Sequence, residues 1–194
     1  MAFQLVVVGA SLGGLQALEV LLAGLPKNFP VPVAIVQHRH KSSDDKLRMM
    51  LQEYSPLVVI EPQDKEEIVP GCIYLAPADY HLMIEAGSGS VPYPCFSLST
   101  DAPVTYARPS IDVLFETAAD TYAEKLIGVL LTGANHDGTR GMEKIRARGG
   151  RTVVEEPSTA ACSTMPKAAI ARGVAQNILP LAEIAPFLVK ICNF

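Results

Sequence analysis

Residues 6–14 read VVVGASLGG, and this stretch decides how the fold begins. The three valines predict a buried strand, and the glycine-flanked residues that follow predict a tight turn into a helix. Residues 9–13 also match the G-x-S-x-G pattern, in which a serine at the end of a strand presents its hydroxyl beside unpaired backbone N–H groups. A glycine-rich turn that binds a dinucleotide looks similar. Ser11 is therefore a candidate nucleophile on a motif that leaves both interpretations open.

The composition predicts one globular domain spanning residues 1–194. Apolar residues make up 49% of the chain and charged residues 19%, which excludes a disordered chain. The net charge of −4 gives no indication of nucleic-acid binding. The four cysteines are far apart and form no C-x-x-C pair, so we expect reduced thiols and no metal site. No leader pattern and no long apolar run stand out, which predicts a cytoplasmic protein with no membrane insertion.

Apolar, strand-like runs alternate with helical patterns along most of the chain. Strands are expected near residues 3–8, 31–37, 57–60, 72–75, 80–84, 95–99, 125–132, 151–154 and 176–179, and helices near 15–25, 44–54, 110–122, 139–148, from 166 and from 181. This alternation predicts an α/β fold: a doubly wound, mostly parallel sheet with helices on both faces. Residues 62–100 are rich in proline and glycine and are expected to form a short antiparallel excursion. Ser110 resembles a helix N-cap.

Three polar residues follow three predicted strands. Ser11 follows the first, His38 follows the second, and Asp137 lies on the turn after the strand at 125–132. Since ligands bind beyond the carboxyl ends of parallel strands, we expect the three side chains at one sheet edge. A serine nucleophile needs a base, which histidine supplies, and an anion that orients the base. His40, two positions on, is an equally available imidazole.

Each residue also has a structural interpretation. Ser11 caps the first helix in that view, His38 is an exposed residue at a strand end, and Asp137 caps the helix that follows it. The chain order Ser, His, Asp differs from that of the α/β-hydrolases, where the acid precedes the histidine. The chain is therefore not expected to be an ordinary α/β-hydrolase.

The sequence resembles the catalytic domain of the chemotaxis receptor methylesterases, also known as protein-glutamate methylesterase/protein-glutamine glutaminase, without their receiver domain. The matching segments, in chain order, are GASLGG at 9–14, VQH at 36–38, LAPADYHL at 75–82, RPSIDVLF at 108–115, LTGANHDGTRGM at 131–142 and MPKAA at 165–169. These segments in this order are far more specific than any one of them, and they extend along essentially the whole chain.

The resemblance implies roles for particular residues. Ser11 would be the nucleophile, His38 rather than His40 the base, and Asp137 the orienting acid. The backbone N–H of Leu12 is the first candidate for binding the oxyanion, with Gly13 and Ala134 as further oxyanion or substrate-binding residues. The reaction would be hydrolysis of γ-glutamyl methyl esters, with glutamine deamidation as a further activity, on the methylated helical cytoplasmic domain of a chemoreceptor or similar signalling protein. It needs no metal or organic cofactor.

Departures from the family pattern leave other functions open. Leu12 replaces the usual threonine or serine, and Ala134-Asn135 replaces methionine-glycine. These changes favour the alternative of a non-catalytic module that binds a receptor or partner. A nucleotide-binding domain is the third hypothesis, but His38 stands where that fold places an acidic residue for the ribose.

Overall fold

The computed structural model describes residues 2–87, 89 and 92–192. Strands and helices alternate along the chain except at residues 58–99, where four strands follow one another. Their bounds are β1 Leu5–Ala10, α1 Gly14–Ala23, β2 Val33–Gln37, α2 Lys46–Tyr54, β3 Val58–Ile60, β4 Cys72–Leu75, β5 His81–Glu85, β6 Cys95–Ser99, α3 Ile111–Tyr122, β7 Leu126–Leu130, α4 Thr139–Ala147, β8 Arg151–Glu155, α5 Thr164–Ala171, β9 Asn177–Leu179 and α6 Leu181–Cys192.

Seven strands form one parallel sheet in the order β3-β4-β2-β1-β7-β8-β9. The central strand, β1, pairs with β2 on one side and β7 on the other. Its last residues lie in register with both neighbours, so that Gly9 is opposite Val36 and Leu130. The connections diverge from β1 in opposite directions, which makes its carboxyl end the topological switch point of the sheet.

The side chains of β1 alternate between two apolar cores. Val6 and Val8 pack in the core that includes buried residues of α1 and α6. Leu5 and Val7 pack on the opposite face, in the core that includes residues of α3, α4 and α5. Burial on both faces explains why the strand is apolar at every position. The predicted doubly wound α/β fold is confirmed.

The region at 62–100 differs in one respect from the expectation. β5 and β6 form the expected antiparallel pair, which packs on α3. β4 does not belong to this excursion, because it lies between β2 and β3 in the main sheet. Its residues Ile73 to Leu75 are fully buried, as a strand with parallel neighbours on both sides requires. Residues 88, 90 and 91 of the predicted excursion lie outside the described residues.

Two helices on one face, α3 and α4, come into close contact at Gly141. A Cβ atom added there would lie 2.3 Å from Cβ of Phe115, which is fully buried. Backbone and side chain are therefore in direct contact, and the position has no room for a methyl group.

We expect Gly141→Ala to destabilise the protein by about 1–3 kcal/mol, because the added methyl overpacks the α3–α4 contact. Helix propensity alone predicts the opposite sign, a gain of about 1 kcal/mol. Urea unfolding of the variant measures the difference, with Arg140→Ala as a control on the exposed face of the same helix. A more stable Gly141→Ala protein would contradict the packing argument.

Within the described residues, no helix combines the length and the apolar character that a membrane crossing requires. The assignment of residues 1–194 to one domain stays a prediction, which is supported by the packing of both apolar cores on a single sheet.

Candidate active site

The carboxyl ends of β1, β2 and β7 bring Ser11, His38 and Asp137 together. Strand pairing continues past the strand ends, since the N–H of Ser11 donates to the carbonyl of Thr132 at 3.0 Å and the N–H of His38 donates to the carbonyl of Ala10 at 3.0 Å. Three adjacent strands of the switch point thus fix the backbone of the first two residues relative to the third.

A chain of two hydrogen bonds connects the three side chains. His38 Nδ1 lies 3.1 Å from Ser11 Oγ, and His38 Nε2 lies 2.7 Å from Asp137 Oδ2. An ionised carboxylate only accepts, so it fixes the imidazole proton on Nε2. Nδ1 is then left with a lone pair that accepts the serine hydroxyl. This is the arrangement that general-base activation of a serine requires.

Asp137 is fully buried at the N-terminus of α3. Its Oδ1 accepts hydrogen bonds from Ser110 Oγ at 2.9 Å and from the N–H groups of Asp112 and Gly138, while Oδ2 accepts from the Ile111 N–H at 2.7 Å in addition to His38. Burial acts to raise the pKa of Asp137, but these hydrogen bonds, with that from His38 foremost, hold it below its usual range. The carboxylate is therefore ionised throughout the neutral pH range.

Asp137 caps a different helix from the one in its structural interpretation, which placed it at the start of the helix that follows. It caps α3, which begins at Ile111, and not α4, which follows it in the chain. Ser110 occupies the predicted N-cap position, but its side chain accepts no bond from the helix and donates to Asp137 instead. The carboxylate of a distant loop has taken the capping role, because it carries the negative charge that a helix N-terminus favours.

Asp112, in the first turn of α3, is a second buried carboxylate, and it performs the reciprocal task. Its Oδ1 accepts the N–H of Gly141 in α4 at 2.8 Å. Burial raises the pKa of Asp112 to about 6, and the nearby charge of Asp137 acts in the same direction. The unfolded chain releases this proton near pH 4, below the folded value, so charging Asp112 costs stability as the pH rises from about 4 to about 6.

We expect Asp112→Asn to remove this pH dependence, because a carboxamide oxygen can still accept the Gly141 N–H but does not ionise. Relative to the original protein, the variant should gain on the order of 2–3 kcal/mol in unfolding free energy between pH 4 and pH 7.5. Denaturant unfolding of both proteins at both pH values measures the change. Asp137 is present in both proteins, so its own titration cancels when the two unfolding free energies are subtracted. If the two proteins differed in unfolding free energy by the same amount at both pH values, the raised pKa of Asp112 would be contradicted.

The candidate oxyanion residues lie on two turns, Leu12 and Gly13 directly after Ser11 and Ala134 three residues before Asp137. In the described part of the chain, the backbone N–H groups of Leu12, Gly13 and Ala134 have no hydrogen-bond acceptor. Gly13 adopts a left-handed conformation, with φ of 79°, at the N-cap of α1, and a Cβ atom there would lie 2.5 Å from Cβ of Ala161. The Leu12 side chain, directly after Ser11 in the chain, is 62% exposed.

Gln37 is a supporting residue that the sequence analysis missed. Its Nε2 donates to the backbone carbonyls of Ser11 and His38, both at 2.9 Å, and so ties the two loops together. A Cβ atom at Gly14 would lie 2.0 Å from Gln37 Oε1, which explains the second glycine of the turn. The position of Gln37 directly before His38 was the available signal, but a glutamine that ends a strand is not distinctive.

Thr132 and Glu155 form a second supporting group that the sequence analysis missed. Thr132 Oγ1 donates to the Leu12 carbonyl at 2.9 Å and accepts the Cys162 N–H at 2.8 Å. The buried carboxylate of Glu155 accepts the Thr132 N–H at 2.8 Å. Burial raises the pKa of Glu155 above its usual range. These contacts join the loops after β1, β7 and β8.

The other histidines are placed away from the hydroxyl of Ser11. His40 Nδ1 lies 2.6 Å from Ser42 Oγ in an exposed pair. His81 is buried, and its ring joins the Ala102 carbonyl to the Ser110 N–H. His136 is exposed on the turn before Asp137. The structure therefore distinguishes His38 from His40, a choice that the residues alone left open.

Asn135 also contacts the imidazole, which the sequence analysis did not foresee. Its Oδ1 accepts the Asp137 N–H at 3.2 Å, and its Nδ2 lies 3.3 Å from His38 Nδ1. The sequence analysis noted this position only as a departure from the methionine-glycine pair that the resemblance implies, and assigned no contact to the side chain.

A cleft of about 770 Å³ opens beside His38 and Asn135. Its lining includes three cationic side chains, those of Arg39, Lys41 and Arg108, and one anionic side chain, that of Asp79. Tyr106 stands fully exposed on its rim, at the tip of a tight turn where both Thr105 and Tyr106 have positive φ. The cleft therefore presents cationic and aromatic groups beside His38. Nowhere in the described residues do three histidine, cysteine, aspartate or glutamate side chains come together as a metal site.

Comparison with known proteins gives consistent matches. The family model described as CheB methylesterase matches residues 6–188. A curated relative from Leptospira interrogans, named for protein-glutamate methylesterase and protein-glutamine glutaminase, is 41% identical over 191 residues, which are 98% of this chain and 96% of the relative. The protein-glutamate methylesterase/protein-glutamine glutaminase of Thermotoga maritima is 38% identical over 188 residues, and there the chain spans 54% of the relative's length.

A solved structure agrees with these sequence matches. The crystal structure of the Thermotoga maritima CheB methylesterase catalytic domain superimposes with a TM-score of 0.92 at 36% identity, and the match covers 98% of this chain and 99% of that one. The similarity therefore extends over the whole fold that carries the candidate site.

Proposed function

Because the chain belongs to the CheB methylesterase family and is a protein-glutamate methylesterase, we propose that it hydrolyses γ-glutamyl methyl esters with Ser11, His38 and Asp137 as its catalytic triad. The observation that carries the proposal is the continuous chain of hydrogen bonds from the Ser11 hydroxyl through the imidazole to the buried carboxylate. A helix-capping role for Ser11 does not account for this chain of bonds.

The first half of the reaction acylates the serine. Ser11 Oγ attacks the ester carbonyl carbon while its proton moves to His38 Nδ1. The tetrahedral intermediate then collapses, the bond to the methoxy oxygen breaks, and His38 Nδ1 returns the proton to that oxygen, which leaves as methanol. Asp137 stabilises the imidazolium through Nε2 and remains ionised, consistent with its lowered pKa.

The second half uses water in place of the serine. His38 Nδ1 takes a proton from a water molecule, whose oxygen attacks the acyl carbon, and the proton returns to Ser11 Oγ as glutamate is released. In both halves the N–H groups of Leu12 and Gly13 at the start of α1, with Ala134 across the site, stabilise the oxyanion. Such donors typically contribute about 3–4 kcal/mol each to catalysis.

The partner we propose is the methylated helical cytoplasmic domain of a chemoreceptor or a similar signalling protein. A helix that carries glutamates and their methyl esters is acidic. The cleft beside His38 presents the side chains of Lys41 and Arg108, of which Arg108 is paired with Asp79, although the whole chain has a net charge of −4. Exposed Tyr106 in the cleft lining, and exposed Leu12 directly after Ser11 in the chain, add apolar contact area. A cytoplasmic location follows from such a target.

The test is incubation of the protein with receptor carrying methyl-labelled glutamate esters. We expect release of labelled methanol in proportion to enzyme and time. An unmethylated receptor serves as the control for background volatile label. Binding to the receptor without methanol release would instead favour the non-catalytic module, and neither binding nor release would reject both functions.

A further inference from the structure

The side-chain amide of Asn135 has only one orientation that suits its neighbours. Its oxygen faces the Asp137 N–H at 3.2 Å, and its nitrogen faces His38 Nδ1 at 3.3 Å. Reversing the amide would place an NH₂ group against the Asp137 N–H, leaving two donors in contact. It would also place a carbonyl oxygen against the lone pair of Nδ1. The resting protein therefore presents an N–H donor, and not an acceptor, beside the catalytic nitrogen.

During acylation the leaving group must occupy the space next to His38 Nδ1. In acylation this nitrogen returns its proton to the departing atom, so the departing atom must come within hydrogen-bonding distance of it. Asn135 lines the cleft at this point and is half-buried, so its NH₂ group faces the same space. In the resting protein the Nδ1 lone pair is shared between the Ser11 hydroxyl at 3.1 Å and the Asn135 amide at 3.3 Å. Once Nδ1 is protonated it no longer accepts from either group, and the Asn135 NH₂ group can donate to the departing atom.

The two leaving groups of this enzyme class differ in hydrogen-bonding character. The methoxy oxygen of a γ-methyl ester has lone pairs and no hydrogen, so it accepts a bond from an N–H donor. In the tetrahedral intermediate the departing nitrogen of a glutamine carboxamide has one lone pair, against two on the methoxy oxygen. Proton transfer from His38 Nδ1 takes that lone pair, so the nitrogen's hydrogens are left facing the Asn135 NH₂ group donor to donor. A site that forms a hydrogen bond with one substrate discriminates strongly against an analogue that cannot form it, because the polar group of the site is then left without a partner.

We propose that Asn135 determines leaving-group specificity by favouring γ-glutamyl methyl esters over glutamine γ-carboxamides. The inference rests on the proposed function, because it concerns the acylation step at Ser11. In that step a bond forms from Ser11 Oγ to the carbonyl carbon, and the bond from that carbon to the methoxy oxygen or amide nitrogen breaks. The serine proton travels through His38 Nδ1 to the departing atom, giving methanol in one case and ammonia in the other. The acyl-enzyme is identical for both substrates.

The test compares kcat/KM for methanol release and for ammonia release on one receptor, prepared with either the methyl ester or glutamine at the same position. Since the acyl-enzyme is shared, the ratio of the two values reports acylation alone. Asn135→Ala should lower the ester value about tenfold, the loss expected for one hydrogen bond in a transition state. The amide value should stay constant or rise, so the ester-to-amide ratio should fall at least tenfold.

Two further variants separate specificity from support of the turn. Asn135→Ser keeps a short side-chain acceptor for the Asp137 N–H but has no amide donor, and it should show the same fall in the ratio. His136→Ala changes the exposed neighbour and should leave the ratio unchanged. Thermal unfolding establishes that each variant is folded.

The possible outcomes decide between the claims. Equal losses of ester and amide hydrolysis in Asn135→Ala, or no gain of amide relative to ester hydrolysis, would overturn the specificity role and leave Asn135 as a support for the triad. Absence of methanol and ammonia release from the unmodified protein would instead overturn the proposed function.

Discussion

Replacing Ser11 with alanine is expected to reduce methanol release from a methylated receptor by about 10⁶-fold, leaving only the residual rate that the oxyanion donors and substrate binding support. The variant lacks the only oxygen that His38 Nδ1 activates within the triad, and no other hydroxyl in the described residues bonds to that nitrogen. The fold should be retained, because the Ser11 side chain contributes one hydrogen bond and the turn depends on backbone contacts. Labelled-methanol release and thermal unfolding measure both properties.

The chain offers a matched control for this substitution. Ser42 forms a serine–histidine pair with His40 at 2.6 Å, but this pair is exposed and contacts no buried carboxylate. Ser42→Ala should therefore retain most of the activity. If Ser11→Ala kept more than about one hundredth of the activity, Ser11 would not be the nucleophile. If Ser42→Ala were the inactive variant, the wrong pair would have been identified.

Asp137→Asn is expected to lower kcat/KM by about 10⁴-fold, because it favours the wrong tautomer of His38. An amide NH₂ group facing Nε2 takes that nitrogen's lone pair and leaves the proton on Nδ1. His38 can then no longer accept the serine proton. Demethylation assays between pH 6 and 9 should find the loss at every pH, since the asparagine has no ionisation to restore.

The same substitution should also destabilise the protein, by about 2–4 kcal/mol. Asp137 accepts bonds on both oxygens, from Ser110, Asp112 and Gly138 on one and from Ile111 and His38 on the other. In either orientation of an asparagine side chain, its NH₂ group would replace one of these accepting oxygens and face N–H or O–H donors. Urea unfolding measures this cost, and kinetics under conditions where the variant is folded separate it from the loss of catalysis.

Asp112→Asn is the control for a buried carboxylate on the same helix. Its side chain caps α4 and has no contact with His38, so most of the activity should remain. Comparable losses in Asp112→Asn and Asp137→Asn would indicate that both act on packing, and they would contradict a specific role for Asp137 in orienting the histidine.

The sequence was sufficient for the sheet and for the order of elements. Apolar runs such as residues 5–8 and 126–131 predict strands that are covered on both faces. Helical spacing of apolar residues between such runs predicts the helices that connect the parallel strands. The placement of β4 was the exception. Its four residues are too few for periodicity to distinguish a central strand from part of a hairpin, and only pairing with both β2 and β3 decided it.

The position of the site could also be predicted from short stretches of the sequence. Ser11, His38 and Asp137 each follow a strand, and parallel strands place such residues at one edge. The choice between His38 and His40 was not encoded this way, because both follow the same strand. A difference of two residues along the loop decides which imidazole contacts Ser11, and only coordinates or family resemblance can distinguish them.

The amino-acid sequence by itself determined the α/β architecture, the glycine turn and the strand ends on which the candidate triad lies, because these depend on residues adjacent in the chain. Only the tertiary structure decided that Asp137 caps α3, that Gln37 and Thr132 join the loops, and that the Asn135 amide faces the leaving-group side of His38. Contacts between residues 26 or more positions apart establish each of these points. They depend on the register of neighbouring strands and on the direction of hydrogen bonds, which local composition does not specify.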